Sequence, residues 1–80
     1  MPIKLICQFV DGLMPSEKIA RIENADGRFE EVLVSTKNMS GKSLLANEIG
    51  RTEGKVLVEL PRESASGRWR IWVKESSIGA

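Results

Sequence analysis

Apolar and polar residues alternate with period two along much of this chain, most clearly from Lys55 to Lys74, KVLVELPRESASGRWRIWVK. The pattern predicts two β-strands, Lys55–Leu60 and Arg68–Lys74, joined by the seven residues Pro61 to Gly67. Both runs are rich in the β-branched and aromatic side chains that suit a half-buried pleated surface. Val56, Val58 and Leu60 fall on one face, with Trp69, Ile71 and Val73 beside them on the partner strand. The opposite face carries Lys55, Leu57 and Glu59 from the first strand and Arg68, Arg70, Trp72 and Lys74 from the second. One face reads as core; the other is basic and presents one large aromatic.

Earlier in the chain, Ile3 to Val10 reads as a strand with Ile3, Leu5, Cys7 and Phe9 on one side, ended by the turn signal Asp11-Gly12. Leu13-Met14-Pro15 follows as an extended connector, because the residue before a proline is pushed away from helical angles. Ser16 to Asn24 would suit a helix capped by Ser16. A strand is preferred, since Asp26-Gly27 and then Phe29 to Val34 look like the far arm of a hairpin. Charge sets its register. A two-residue turn puts Glu23 opposite Glu30, whereas a four-residue loop, Asn24 to Gly27, pairs Glu23 with Arg28, Ile22 with Phe29 and Arg21 with Glu30. Facing opposite charges favour the longer loop by up to about 1 kcal/mol each. Ala20, Ile22, Phe29 and Leu33 then share one face, with Ile19, Val32 and Val34 on the other.

From Ser35 to Gly54 the sequence turns polar. Turn signals near Ser40-Gly41 and over Arg51 to Gly54 bracket Leu44 to Ile49, too short for a stable isolated helix. That segment is read as either a short strand or a helical turn carrying Leu44 and Ile49 inward. Ile78 can add a short closing strand, or the tail from Glu75 can fray. No internal repeat or linker is evident. Residues 1–80 are thus read as one small all-β domain, an SH3-like, partly open barrel of five or six antiparallel strands, with at most one short helical turn near 44–49.

Composition narrows function mainly by exclusion. Twelve Lys and Arg against eleven Asp and Glu give a net charge of +1, which argues against a strongly cationic nucleic-acid binder although a local patch can still act. The absence of histidine removes the commonest general base and metal ligand. The single cysteine, Cys7, forbids an internal disulfide or a Cys-rich zinc site, and its apolar neighbours read it as a small buried hydrophobe. Met1 to Val10 lacks the cationic leader and cleavage site of a signal peptide, and no window approaches membrane-spanning length. A cytoplasmic protein is expected.

Candidate chemistry is sparse. Gly41-Lys42-Ser43 matches the end of a phosphate-binding loop, but Thr36 stands where that motif needs glycine, and no long helix follows. Glu30 and Glu31 are adjacent on a strand and so point to opposite faces; Glu59 reads as a cross-strand partner of Arg68 or Arg70. No serine has a histidine to activate it. The expectation is a non-catalytic protein with no cofactor or metal.

What remains is the face of Lys55, Leu57, Arg68, Arg70, Trp72 and Lys74. Trp and Arg are enriched among residues that carry protein–protein affinity, so the preferred reading is a binding or assembly module for another protein or for itself, a homodimer included. The alternative is a single-stranded nucleic acid held by the same cations with bases stacked on the indole. The plainest reading leaves Trp72 covered by a strand or by the 36–54 loop, with the cations ordinary edge charges. The loop Pro61 to Gly67, small and polar, suits a mobile tip.

Overall fold

The computed structural model describes residues 2–79. Nine strands run through them: β1 (Pro2–Ile6), β2 (Gln8–Asp11), β3 (Glu17–Glu23), β4 (Phe29–Ser35), β5 (Met39–Ser40), β6 (Ser43–Thr52), β7 (Lys55–Glu59), β8 (Arg70–Lys74) and β9 (Ile78–Gly79). Short 3-10 turns cover Thr36–Asn38 and Glu75–Ser77. All pairings are antiparallel. One sheet has the order β8-β7-β6-β1-β9 with β5 also on β6, and the other is β2-β3-β4.

The expected small, partly open all-β barrel is what forms. β1 and β2 are one bent run, interrupted at Cys7, whose first half pairs with β6 and second half with β3. That bend corrects the single strand expected over Ile3 to Val10, although the alternation holds: Ile3, Leu5, Cys7 and Phe9 all pack on the core. Counting β1–β2 once and setting aside the two-residue β5 and β9 leaves six strands.

The core is a single cluster of Leu5, Ala20, Ile22, Val32, Val34, Leu44, Val56, Val58, Leu60, Ile71 and Val73. Both sheets contribute, which is how a chain this short gathers a buried interior.

Three expectations fail, each for a local physical reason. The first hairpin pairs Glu23 with Phe29, Ile22 with Glu30 and Arg21 with Glu31, one residue away from the charge-based register. The turn decides. Gly27 N–H donates to the Asn24 carbonyl at 3.0 Å, Asn24 N–H to the Arg28 carbonyl at 2.7 Å, and Gly27 sits at φ +82°, the three-residue hairpin with a left-handed glycine. The Asn24 side chain secures it by accepting from Asp26 N–H and Arg28 N–H at 2.9 and 3.0 Å. A slip of one residue exchanges the faces of that strand, so Phe29 and Leu33 are exposed while Glu30, Val32 and Val34 are buried.

The second concerns the 36–54 segment. Of the two readings of 44–49 the strand holds and the helical turn does not, and β6 is longer than expected, running for ten residues where a polar loop was read. Leu44 and Ala46 reach the core, but Ile49 is exposed as the extra residue of a β-bulge between Glu48 and Gly50. Third, Trp69 is 54% exposed rather than inward. It lies beyond the last ladder pair of β7 and β8 and opposite Leu60, which closes that end of the core without it.

An internal repeat is also present. β2-β3-β4 and β6-β7-β8 are equivalent meanders, each followed by a 3-10 turn and a two-residue strand. Leu5 and Leu44 are direct partners, Leu5 also pairs with Ile78, and Leu44 with Met39, so the two halves exchange about a local dyad at the Leu5–Leu44 pair. Hydrogen bonds outside the ladders repeat too: Thr36 N–H to Ser16 O matches Glu75 N–H to Gly54 O. The turn Asn24-Ala25-Asp26-Gly27-Arg28 recurs as Ser64-Ala65-Ser66-Gly67-Arg68, with Gly67 at φ +85°, Gly67 N–H on Ser64 O at 2.9 Å and Ser64 N–H on Arg68 O at 2.8 Å.

The repeat also binds the sheets together. Ala25 N–H donates to Trp72 O on the edge of β8, and Ala65 N–H donates to Glu31 O on the edge of β4, both at 2.8 Å. Each half thus lays its own turn against the last long strand of the other.

Candidate functional site

The outer face of β7–β8 is set by pairing and pleat. Lys55 faces Lys74, Leu57 faces Trp72 and Glu59 faces Arg70, while Val56, Val58, Ile71 and Val73 point inward. Trp72 is 41% exposed, Leu57 is half-buried beside it, and Lys55, Arg68, Arg70 and Lys74 are exposed. All six residues singled out by sequence therefore lie on or beside the hairpin's outer surface, but they do not form a continuous cationic strip. Arg70 Nε bonds Glu59 Oε2 at 3.1 Å, the cross-strand pair expected from the sequence. Arg68 Nε lies 3.9 Å from Glu30 Oε2. Among the described residues, Lys55 and Lys74 have no acidic partner.

Among the described residues Glu30 is the one buried carboxylate near this surface, and its neighbours explain why burial is tolerated. It accepts from Ser64 Oγ at 3.0 Å and from Ser66 Oγ at 2.5 Å, since a carboxylate out of water needs its lone pairs met. Ser64 is itself buried, and its Oγ accepts from Arg68 N–H at 3.1 Å. The segment from Pro61 to Gly67 is therefore latched to β4, not a free tip.

A second surface was not anticipated. On the outer face of β3–β4, Ile19 and Leu33 are cross-strand neighbours. With Asp11, Gly12, Leu13 and Ala65 they border an open groove of about 440 Å³. Glu17, Glu31 and Glu63 also line it, and among the described residues none of their carboxylates is in an ion pair or side-chain hydrogen bond. Gly12 fixes one wall: its N–H reaches Glu17 O at 3.2 Å, and a Cβ there would stand 3.0 Å from Glu17 Cβ. Asp11 bonds Lys18, whose ammonium holds its carboxyl below the usual carboxylate range through hydrogen bond and charge. The charge-based register hid this groove, because it set Leu33 and Ile19 on opposite faces of the hairpin, whereas they are cross-strand partners on one.

The remaining titratable group of note is Cys7, half-buried against the core. Burial pushes its thiol from 9.0 up to about 11. At pH 8 a thiol-specific disulfide reagent is expected to label it slowly in the native protein and rapidly in denaturant. The unfolded chain gives up this proton first, so the thiol's contribution to stability declines as pH rises from 9.0 towards about 11; denaturant titrations across that window check the sign. Among the described residues no group of three or more His, Cys, Asp or Glu is arranged to hold a metal ion, and no helix is long and apolar enough to cross a membrane.

With fold and surfaces defined, the protein is a small, open, antiparallel all-β barrel. Comparison with family models, curated proteins and solved structures gives no match.

Proposed function

We propose that this chain is a non-catalytic binding module that contacts a protein through the outer face of β7–β8, with Trp72 as the anchor. The observation that carries this reading is a large indole 41% exposed on a regular sheet face, beside Leu57 and ringed by Lys55, Arg70 and Lys74. An aromatic with an apolar neighbour and a charged rim is the usual make-up of an affinity-carrying patch. The competing reading, single-stranded nucleic acid, uses the same cations. It is weaker here because Glu59 engages Arg70 and Glu30 lies near Arg68, and because the face carries one stacking side chain where stacking platforms use several.

A photo-crosslinking p-benzoylphenylalanine in place of Lys55 tests the reading while leaving Trp72 intact. Irradiation in the native cell is expected to give protein adducts that Trp72→Ala weakens about 30-fold, the effect of an anchor worth roughly 2 kcal/mol. Adducts to nucleic acid, or protein adducts indifferent to Trp72→Ala, would overturn it. Titration with short single-stranded DNA at two salt concentrations gives an independent check, since phosphate-driven binding falls steeply with salt.

A further inference from the structure

Superposing the repeat on itself by register brings out a charge reversal. In one half the outer-face rows read Gln8–Arg21–Glu31 and Val10–Ile19–Leu33; in the other they read Asn47–Glu59–Arg70 and Gly50–Leu57–Trp72. Equivalent positions thus hold Glu31 against Arg70, Arg21 against Glu59, and Leu33 against Trp72. The end row continues the pattern, with Glu17–Ser35 in one half and Lys55–Lys74 in the other. The two halves present the same sheet surface with opposite charge. One is an apolar groove rimmed by unpaired carboxylates; the other is an apolar ridge with two unpaired ammonium groups.

We infer that the acid-rimmed groove over β3–β4 is a docking site for the Trp72 face of a second copy of this chain. This rests on the reading of β7–β8 as a protein-contact face and names its partner. Trp72 and Leu57 of one copy lie on Ile19, Leu33 and Leu13 of the next. Lys55 and Lys74 then meet the free carboxylates of Glu17, Glu31 and Glu63. Leu13 is 99% exposed at the groove's edge, so docking removes from water the most exposed large apolar side chain among those described.

Charge selects this geometry over a symmetric dimer through either face. Placing two Trp72 faces together gathers four unpaired ammonium groups in one interface, with Glu59 already engaged by Arg70, and placing two grooves together gathers six unpaired carboxylates; like charges so gathered oppose association. Groove-to-ridge contact uses two different surfaces and is therefore heterologous. It builds a ring if the rotation closes and an open-ended helical assembly if it does not.

Charge exchange between two variants tests this. Glu31→Lys with Glu63→Lys makes the groove basic, and Lys55→Glu with Lys74→Glu makes the ridge acidic; the four side chains are exposed and lack ion pairs within the ladder. Circular dichroism and a thermal melt establish that each variant is folded. By light scattering after size exclusion, the wild type is expected to grow in mass with concentration at low salt. Its association constant should fall about tenfold or more between about 50 and about 500 mM salt. Each variant alone should be monomeric, whereas the equimolar mixture should recover the wild-type association. Monomeric wild type at every concentration, variants that still self-associate, or a mixture that stays monomeric would each overturn the inference. If the wild type is monomeric while Trp72-dependent crosslinks to other proteins persist, self-docking falls and the binding module stands; if those crosslinks are absent as well, both fall.

Discussion

Leu44→Ala is expected to destabilise the protein by about 3–5 kcal/mol, and Leu5→Ala by the same amount within about 1 kcal/mol. Both leucines are fully buried and face each other at the dyad between the halves. Neither site can collapse easily, since backbone lies on both sides: β6 and β9 flank β1, and β1 and β5 flank the start of β6. A domain of this length has a total stability of about 4–12 kcal/mol, so either truncation removes a large share of it. Leu45→Ala, one residue along and facing outward, is expected to cost less than about 1 kcal/mol. Urea unfolding of the three variants measures these differences. Strongly unequal losses at Leu5 and Leu44 would contradict the equivalence of the halves.

The second large effect is expected at Glu30. Its removal in Glu30→Ala takes the carboxylate acceptor from the Ser64 and Ser66 hydroxyls, which then have only each other at 3.2 Å, a loss of about 1–3 kcal/mol. Glu30→Gln keeps one acceptor oxygen and should recover part of it. The change should also be felt where this turn meets β4. The Ala65 amide, bonded to Glu31 O, is expected to exchange its hydrogen faster in Glu30→Ala, while the Val58 amide in the central ladder keeps its rank among slow sites. Unchanged exchange at Ala65 would mean that the latch does not hold the turn. By comparison, the exposed Arg70–Glu59 pair should contribute no more than about 1 kcal/mol.

What could be read from the sequence follows from which signals are local. Period-two alternation placed Val56, Val58, Leu60, Ile71 and Val73 inside and Trp72 outside, because strand faces are decided residue by residue. It could not place Trp69, since a position past the last ladder pair has no sheet to be inside of. Register was lost at Asp26-Gly27, where a cross-strand charge argument worth under a kilocalorie or so competed with a turn held by two backbone and two Asn24 hydrogen bonds. That single error concealed the groove. The repeat was visible in principle as Ala-Asp-Gly-Arg at 25–28 and Ala-Ser-Gly-Arg at 65–68. It went unseen because the bulge in β6 and the extra Pro61-Arg62-Glu63 region, both ahead of the second turn, change the spacing between the halves. The polar look of 36–54 misled for a related reason: β6 buries only Leu44 and Ala46 fully, too few for its pattern to stand out.

The reciprocal halves bear on how the chain could be divided. The Gly41-Lys42 turn joins β5 to β6 much as the space between Gly79 and Lys4 separates β9 from β1, so a cut at that turn severs no ladder. Each fragment would then carry three long strands with their greasy side uncovered, and the missing cover is the other fragment. Mixed together, residues 1–41 and 42–80 have the makings of a split reporter: silent apart, and restored by reassembly across the Leu5–Leu44 seam.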